Sequence, residues 1–472
     1  MAETSTLVGN PNAQFDLPED LTRNLIDLVR EIDFAALPSD IQRRTKHSLT
    51  DTLGVAAFGS VAEPVGALRR VVLDPWPEGA AGGGSEGGAT VLGPGYPRAN
   101  PAVAAMVNGL AGHIRDFDDA GAGGHVSAII VPAALALAEL NGASGVDLLS
   151  AMVSGYEVAF RVNGLLTMSH YYLGFHSSGT VGTFGATAAA CRVLGLDREQ
   201  WAMAFGIAGS LASGLLANFG SMTKPLHSAN AARAGVLAAR LAAEGFTGSP
   251  EILEHQAGFV RTHTMGSDPA AALHPLGDPW ALANMVYKFN AACSGTHAGG
   301  DGMRRLVREH RVTVDDVEHI TVWVPRIQTE VANIQWPVTV EQAKFSIRYV
   351  AAAGLLGIDT GAGFPESDAE IVEPRVTSAI GLIEVLPLAG VDHGGAAELE
   401  VRLKNGDVLS TGGDSLIPFE DLDLERAAVE EKFRRTAAAL WSPAVVDDAL
   451  VRLLCFEREP SVHAFLSDLT GS

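Results

Sequence analysis

The sequence predicts a mainly α protein that consists of a large all-helical domain and a smaller α+β domain. From residue 18 to about residue 266, apolar residues recur at three- and four-residue spacing between breaks at Gly or Pro, as in packed helices. Strand patterns begin only after about residue 277. The 52 glycines and the aromatic fraction of 6% are typical of helices that pack closely through small side chains. A chain of 472 residues is too long for one ordinary core, so we expect two or three domains.

The all-helical domain is predicted at residues 18–270. Its clearest helices are predicted at residues 21–32, 39–58, 100–114, 146–162, 180–194 and 198–216. The glycine-rich run at residues 82–88 predicts a flexible loop. Residues 1–17 lack the basic start and apolar run of a signal peptide, and we interpret them as a mobile leader. Residues 201–223 carry no charge, but their Gly and Ser content favours a buried helix over a membrane span.

The α+β domain is predicted at residues 271–415. Residues 317–325 alternate between apolar and polar side chains, and residues 379–388 form a second strand-like run. Two further predicted strands, residues 398–403 and 408–412, flank Asn405-Gly406, a strong hairpin-turn signal. The last segment, residues 416–472, returns to helical periodicity. The pattern alone does not decide whether these C-terminal helices rejoin the first domain or extend the second.

Charge and cysteine content limit the classes of partner. The formal net charge is -22, and no long run of Lys or Arg stands out, so we expect neither nucleic acid nor a membrane as a partner. Cys191, Cys293 and Cys455 are odd in number and far apart, which favours a reducing compartment and a cytoplasmic location. Dinucleotide, phosphate-loop and paired-cysteine metal motifs do not occur in the sequence. An acidic protein that binds an anion therefore requires a local cationic pocket.

Four basic or protonatable residues precede predicted helices: His125, His176, Lys224 and Lys288. Pro225 favours the first helical position, which would place Lys224 at the N-cap and His227 in the first turn. Free N–H groups and the positive dipole end attract anions to a helix N-terminus. If these helix ends converge, they form a cage for a molecule with more than one carboxylate. Each of these histidines or lysines on its own is more often a structural or surface residue.

Three carboxylates, Asp116, Asp118 and Asp119, are joined by a glycine-rich loop to His125. A base beside a histidine suits removal of a proton next to a carboxylate, a step that also requires cations to stabilise the developing charge. Two alternatives stay open: Asp118 and Asp119 are solvated helix caps, or Asp116, Asp118 and His125 bind a divalent metal of a hydrolase. Cys293 is either a nucleophile of lowered pKa or a small buried side chain.

Several of these blocks together resemble the MmgE/PrpD family over most of the chain. They are Asp116-Phe117-Asp118-Asp119 with Gly124-His125, and residues 172–196, 218–235 and 288–297. Members of this family include 2-methylcitrate dehydratase, cis-aconitate decarboxylase and iminodisuccinate epimerase. The resemblance implies a homodimer in which the α+β domain is a lid and the C-terminal segment returns to the helical domain. It also implies a small carboxylate substrate and no organic cofactor or metal.

Carried over position by position, the resemblance makes Asp116, His125, His176, Lys224 and Lys288 the expected catalytic residues. The expected substrate-binding residues are His227, Cys293, His297 and Thr329. Where the decarboxylase branch has a threonine, a histidine and a tyrosine, this chain has Ala120, Cys293 and Thr329. The sequence therefore predicts a lyase or isomerase of dehydratase or epimerase type. The alternatives are a cis-aconitate-type decarboxylase, a non-catalytic carboxylate-binding relative and a specialised biosynthetic enzyme on a non-standard substrate.

Overall fold

Helices dominate the molecule, so the predicted mainly α class is confirmed. A computed structural model describes residues 15–73, 88–121 and 123–471 of the chain. The predicted loop at residues 82–88 lies outside these ranges apart from Gly88, and so does the predicted leader apart from residues 15–17. The helices of the first domain are α1 (Leu21–Val29), α2 (Ser39–Ser60), α3 (Glu63–Leu73), α4 (Pro101–His113), α5 (Ser127–Leu140), α6 (Gly145–Tyr172), α7 (Ser177–Val193), α8 (Arg198–Leu211), α9 (Thr223–Ala243), α10 (Phe259–His263) and α11 (Pro269–Leu273).

Helices α4, α5, α6, α7 and α9 pack against one another in the centre of this domain. Small residues allow their backbones to approach closely: a Cβ atom added at Gly155 of α6 would lie 2.8 Å from the carbonyl oxygen of Gly185 in α7. Two short strand pairs connect the helices, β1 (Ala89–Thr90) with β2 (Arg98–Ala99), and β3 (Asp119–Ala120) with β4 (Val286–Tyr287). The second pair joins the Asp-rich loop to the segment that precedes the α+β domain.

The second domain contains a four-stranded sheet. Its elements are α12 (His297–His310), β5 (Val317–Val324), α13 (Arg326–Val331), α14 (Val340–Ala343), α15 (Ile347–Leu356), α16 (Asp368–Ile371), α17 (Pro374–Ile380), β6 (Ile383–Pro387), β7 (Ala396–Leu403) and β8 (Val408–Asp414). The strand order is β6-β5-β7-β8, with β5 and β6 parallel and the other pairs antiparallel. Alternate residues of β7, Ala397, Leu399 and Val401, are buried, and α12 and α15 pack against the sheet.

The C-terminal helices pack against the first domain. They are α18 (Leu422–Ala437), α19 (Pro443–Leu453) and α20 (Val462–Thr470). Helix α18 lies along α2, where Lys432 pairs with Asp51 at 2.7 Å and Glu425 pairs with Arg44 at 2.5 Å. All four side chains are buried or nearly so. The C-terminal helices therefore rejoin the first domain, a question that the periodicity of the sequence left open.

Several predicted elements differ from those observed, and the largest difference is α6, which was predicted at residues 146–162 and extends over Gly145–Tyr172. Helix α8 ends at Leu211 instead of residue 216, because the chain becomes extended and Leu215 pairs with Phe175. The strand predicted at residues 379–388 begins only at Ile383, since the helix that starts at Pro374 occupies the preceding residues. Helix α9 begins at Thr223, so Lys224 lies inside its first turn and is not the N-cap. Proline is tolerated throughout the first turn, and Pro225 does not fix the helix start.

Within the described ranges, no helix has both the length and the apolar character needed to cross a membrane.

Two acidic residues of α18 offer a matched test of how this helix holds the first domain. We expect Glu425→Gln to lower the free energy of unfolding by about 3–5 kcal/mol, because the Arg44 guanidinium stays buried without its counter-charge. Asp423 pairs with Arg43 at 2.6 Å, but 78% of its side chain is exposed. For Asp423→Asn we therefore expect a loss of about 1 kcal/mol or less. Chemical denaturation measures both, and equal losses would contradict the burial argument.

Candidate active site

The carboxylate of Asp116 is the centre of a buried group of charges. Three residues after α4 ends, Asp116 adopts a left-handed backbone conformation with φ of 50°, which is uncommon outside glycine. Its Oδ1 atom lies 2.6 Å from Nζ of Lys288 and 2.9 Å from Nζ of Lys224. Each of the three side chains is at most 4% exposed. One carboxylate thus contacts two ammonium groups that are both shielded from water.

Backbone pairing brings Lys288 to this carboxylate. In the β3–β4 pair, Asp119 lies opposite Tyr287, and the backbone N–H of Lys288 donates to the carbonyl of Asp118 at 3.0 Å. Lys224 arrives separately, from the first turn of α9. Because the two lysines lie far apart in the sequence, the sequence alone did not show that both contact Asp116.

The oppositely charged side chains of this group stabilise one another in their ionised forms. Burial alone would raise the pKa of Asp116, but Lys224 and Lys288 outweigh it and hold that pKa well below its ordinary value. Burial would lower the pKa of Lys288, and the Asp116 carboxylate reverses this and raises it. Asp116 is therefore ionised at neutral pH and is a poor base. Two ammonium groups against one carboxylate leave an excess positive charge, which favours an anionic ligand.

His125 stands beside this group with its pKa lowered. Its Nδ1 atom lies 2.6 Å from the carbonyl oxygen of Asp119, which can only accept, so Nδ1 carries the proton. The Nε2 atom, 4.0 Å from Oδ1 of Asp116, then holds a free lone pair. Burial, reinforced by Lys288 and Lys224, lowers the pKa of His125 well below its usual value. The imidazole is thus neutral at neutral pH and able to take a proton.

Gly124 allows His125 to reach this position. Its φ is 137°, and an added Cβ would lie 2.7 Å from Oγ of Ser178. That same Oγ accepts a hydrogen bond of 3.1 Å from the backbone N–H of His125. A side chain at residue 124 would therefore disturb both the backbone and the contact that fixes His125.

A second histidine pair precedes α7. His176 is the N-cap residue of α7, and its Nδ1 lies 3.0 Å from Nδ1 of His227, so one of the two rings donates and the other accepts. Burial and the charge of Lys224 lower the pKa of His176 well below its usual value. Among the described residues that line the cavity next to these groups, His176 is present and His227 is not. His227 therefore orients His176 from behind.

One cavity of about 490 Å³ connects these side chains, and His125, His176 and Lys224 line it. Lys288 is absent from its lining among the described residues and supports Asp116 from behind. Helix α6 contributes Phe160, Asn163, Met168 and Tyr171 to the wall, and α13 contributes Ile327, Gln328 and Val331. The predicted convergence of cationic or protonatable residues at helix starts is thus observed for His125, His176 and Lys224.

Of the remaining predicted binding residues, Cys293 lines the cavity, whereas His297 and Thr329 are absent from the described lining. Burial and the nearby Asp116 raise the pKa of the Cys293 thiol, so the alternative of a nucleophile with lowered pKa is wrong. His297 directs Nε2 to the carbonyl of Ala292 at 2.9 Å. The hydroxyl of Thr329 donates to the carbonyl of Arg326 within its own helix at 2.7 Å.

Asp118 and Asp119 are each 1% exposed, so the alternative of solvated helix caps is wrong. Asp118 accepts from Nδ1 of His113 at 2.9 Å. Asp119 accepts from the hydroxyl of Ser127. Burial, reinforced by Asp118, raises the pKa of Asp119 well above its usual value. These carboxyl groups hold the loop in place below the cavity.

Metal binding fits this site poorly. His113, Asp116, Asp118 and His125 place one donor atom each within 4.8 Å of one another, the set that a metal ion would use. However, Asp116 already contacts the ammonium groups of Lys224 and Lys288, which would repel a divalent cation at that position. The charge distribution favours an anion over a cation.

Sequence reasoning missed His113 and His393. His113 stands three residues before Asp116, so its place in the same short run was a usable signal. Its ring centroid lies 4.6 Å from that of His125. His393 lines the cavity from a glycine-containing loop of the second domain and contacts the hydroxyl of Tyr172 at 2.7 Å. No pattern linked those two residues, because they are more than two hundred positions apart.

Comparison with known proteins gives the same family as the motifs. The model of the MmgE/PrpD N-terminal domain matches residues 23–272, and that of the MmgE/PrpD C-terminal domain matches residues 291–454. A cis-aconitate decarboxylase of Homo sapiens is 30% identical over 453 residues, which cover 92% of this chain and 91% of the relative. A cis-aconitate decarboxylase-like protein of Aspergillus oryzae is 29% identical over 364 residues, 71% of this chain and 73% of the relative. The chain belongs to the MmgE/PrpD family.

Proposed function

We propose that the protein is a lyase that breaks a bond next to a carboxylate of a small polycarboxylate, with His125 as the proton carrier. The observation that carries this proposal is a buried group in which Lys224 and Lys288 share the one carboxylate of Asp116, and from which Lys224 reaches the cavity that the neutral imidazole of His125 also lines. Decarboxylation of a substrate of the cis-aconitate type is the first candidate, because the reported relatives bear that name.

Lys224 is the residue that contacts a substrate carboxylate in this proposal. Its ammonium group has three donors, Asp116 uses one of them, and the side chain lines the cavity. The rings of Phe219 and Phe345 lie 5.7 Å and 5.5 Å from Nζ, so the ammonium is directed by cation–π contacts as well. Lys288 and Asp116 then act as positioning residues that fix the Lys224 ammonium.

The first candidate reaction can be written with these groups. The substrate loses CO₂ from the carbon beside its double bond, and the electron pair spreads over that double bond towards a second carboxylate. The ammonium group of Lys224, which Asp116 and Lys288 hold in place, stabilises this charge as it develops. His125 delivers a proton to the carbon at the far end and takes up another from solvent. The negative charge of a bound polycarboxylate raises the pKa of His125 and favours the protonated form that this step requires.

Dehydration or epimerisation is the second candidate, and the neutral state of His125 favours it. A neutral imidazole takes the proton α to a carboxylate; a leaving hydroxyl group then takes up a proton and departs as water, or the proton returns on the other face. Two positions that differ from the decarboxylase branch, Ala120 and Cys293, line the cavity. A homodimer and a cytoplasmic location, both predicted from the sequence, accompany either candidate as proposals.

Lys224→Met tests the anchoring role. We expect kcat/KM to fall by about 10²–10³-fold, as for other lost donors to a developing charge. Folding should persist, because Asp116 keeps Lys288 as its counter-ion and the methionine fills the apolar part of the space. Lys404→Met is the control, since Lys404 is exposed in the second domain and its ammonium donates to the carbonyl of Asp315. Full activity of Lys224→Met would contradict the proposal.

Proton NMR in deuterated water distinguishes the reactions. With a cis-aconitate-type substrate, we expect release of CO₂ and one deuterium in the product, because the proton that His125 delivers comes from solvent. Loss of water from a citrate-type substrate would indicate dehydration. Exchange into an iminodisuccinate-type substrate without net loss would indicate epimerisation. Absence of turnover and exchange with all three would contradict the proposal and support a carboxylate-binding relative without catalysis.

The pH dependence of kcat/KM reports the charge on His125 in the free enzyme. Since the pKa of His125 lies well below 6.5, a decarboxylase that needs the protonated form should lose activity as the pH rises from 6.5 to 8.5. The expected slope is about tenfold per pH unit. A dehydratase or epimerase that needs the neutral form should show constant kcat/KM in this range and lose activity only below pH 6.5. His125→Asn lacks the titrating imidazole, so neither dependence of kcat/KM on pH should be observed in this variant.

A further inference from the structure

The second domain contacts the backbone that immediately precedes Asp116. Helix α4 ends at His113, and Ile114 is its C-cap residue. Lys344, the C-cap residue of α14 in the second domain, donates from Nζ to the carbonyl of Ile114 at 3.0 Å. The last carbonyls of an α-helix lack donors within the helix, and a lysine at this end also interacts favourably with the helix dipole. Lys344 thus stabilises the end of α4 from another domain.

Arg115 makes a second contact with the same domain. Its guanidinium lies 2.8 Å from the carboxylate of Glu366 and 4.5 Å from the centre of the Phe58 ring. Residues 114 and 115 are therefore both bound by the second domain just before the chain becomes left-handed at Asp116. An uncommon backbone conformation persists when the surrounding structure holds it. The second domain supplies such support directly beside this turn.

Burial distinguishes these two contacts. The side chain of Lys344 is 3% exposed, and the carboxylate of Glu341 lies 3.0 Å from its ammonium group. The side chain of Glu366, by contrast, is 66% exposed. Exposed ion pairs contribute little to stability, whereas hydrogen bonds from charged donors are among the stronger ones. Lys344 is therefore the more important contact of the two.

The ammonium group of Lys344 lies apart from the cavity beside Lys224. Lys344 is absent from the described lining of that cavity and instead lines a second one of about 590 Å³, together with Arg115. The backbone around it nevertheless borders the first cavity. Its carbonyl accepts from the N–H of Cys293 at 2.9 Å, and the ring of Phe345 lies 5.5 Å from Nζ of Lys224. One short segment of the second domain therefore contacts three parts of the site.

We propose that Lys344 is a positioning residue of the reaction, which fixes the end of α4 from the second domain and so holds the Asp116 carboxylate against its two lysines. The catalytic consequence rests on the proposed function, in which this carboxylate fixes the ammonium group of Lys224. Docking of the second domain and assembly of the charged group are thereby coupled. A displacement of about 1 Å within a catalytic site costs about 10²-fold in rate, so such coupling affects turnover directly.

Lys344→Met removes the donor to the end of α4. We expect kcat/KM to fall by about 10²-fold while the circular dichroism spectrum stays unchanged. Lys404→Met is the matched control, because it removes another lysine of the second domain that donates to a backbone carbonyl, and it should leave kcat/KM unchanged. Full activity of Lys344→Met would overturn the inference. If this variant does not fold, Lys344→Gln, a milder change, takes its place in all measurements.

A double-mutant cycle separates positioning from an independent structural effect. In the Asp116→Asn background, Lys344→Met should lower kcat/KM by at most about threefold, because the carboxylate that Lys344 positions is already absent. A further loss of about 10²-fold in that background would show that the two residues act independently. That result would overturn the positioning role.

A crystal structure of Lys344→Met tests the position of Asp116 without requiring turnover. We expect its Oδ1 atom to lie more than about 4 Å, the limit of an ion pair, from Nζ of Lys224 or Lys288. Unchanged distances would overturn the inference, and so would a displaced carboxylate in a fully active variant. If the wild-type protein turns over none of the substrates in the NMR assay, the proposed function is wrong. The crystal structure then decides by itself whether Lys344 holds Asp116 in place.

Discussion

The contact of Asp116 with Lys224 and Lys288 is the interaction on which the site depends. A buried ammonium without a counter-charge is strongly unfavourable, so both lysines require this carboxylate. The carboxylate in turn requires the left-handed turn at residue 116, the start of α9 and the β3–β4 pair. Because the Asp116 carboxylate balances only one of these two ammonium groups, the proposed function assigns the second to an anionic ligand.

Each part of the fold has a distinct role around this contact. The helical domain supplies His125, His176 and Lys224, and the second domain covers them with α13 and the loop at His393. The C-terminal helices support the site from behind, since Nζ of Lys432 donates to the carbonyl of Phe117 at 2.6 Å. The loop that carries Asp116 is thus held by α18 as well as by its own neighbours.

Family membership is informative about the fold, whereas the choice of reaction depends on individual residues of the cavity. Membership of the MmgE/PrpD family accounts for the two domains. The reaction depends on fewer residues, and of the three positions that differ from the decarboxylase branch, two line the cavity and Thr329 turns its hydroxyl onto its own helix. The protonation state of His125 also depends on the ligand, because a bound polyanion offsets the effect of the two lysines. The direction of proton transfer by His125 therefore depends on the charge of the bound ligand as well as on the protein.

The sequence by itself determined the mainly α class, the strands around Asn405-Gly406, and the family. Periodicity and short motifs are local properties, and local patterns report them well. It also singled out Asp116, His125, His176, Lys224 and Lys288, although for the individual roles it depended on family resemblance.

Only the tertiary structure decided which of these side chains share the cavity. It placed His227 and Lys288 behind it, gave the Cys293 thiol a raised pKa, and brought Tyr172 to His393. It also decided that the C-terminal helices pack on α2. Burial and long-range charge contacts set these outcomes, and neither is encoded in the spacing of residues along the chain.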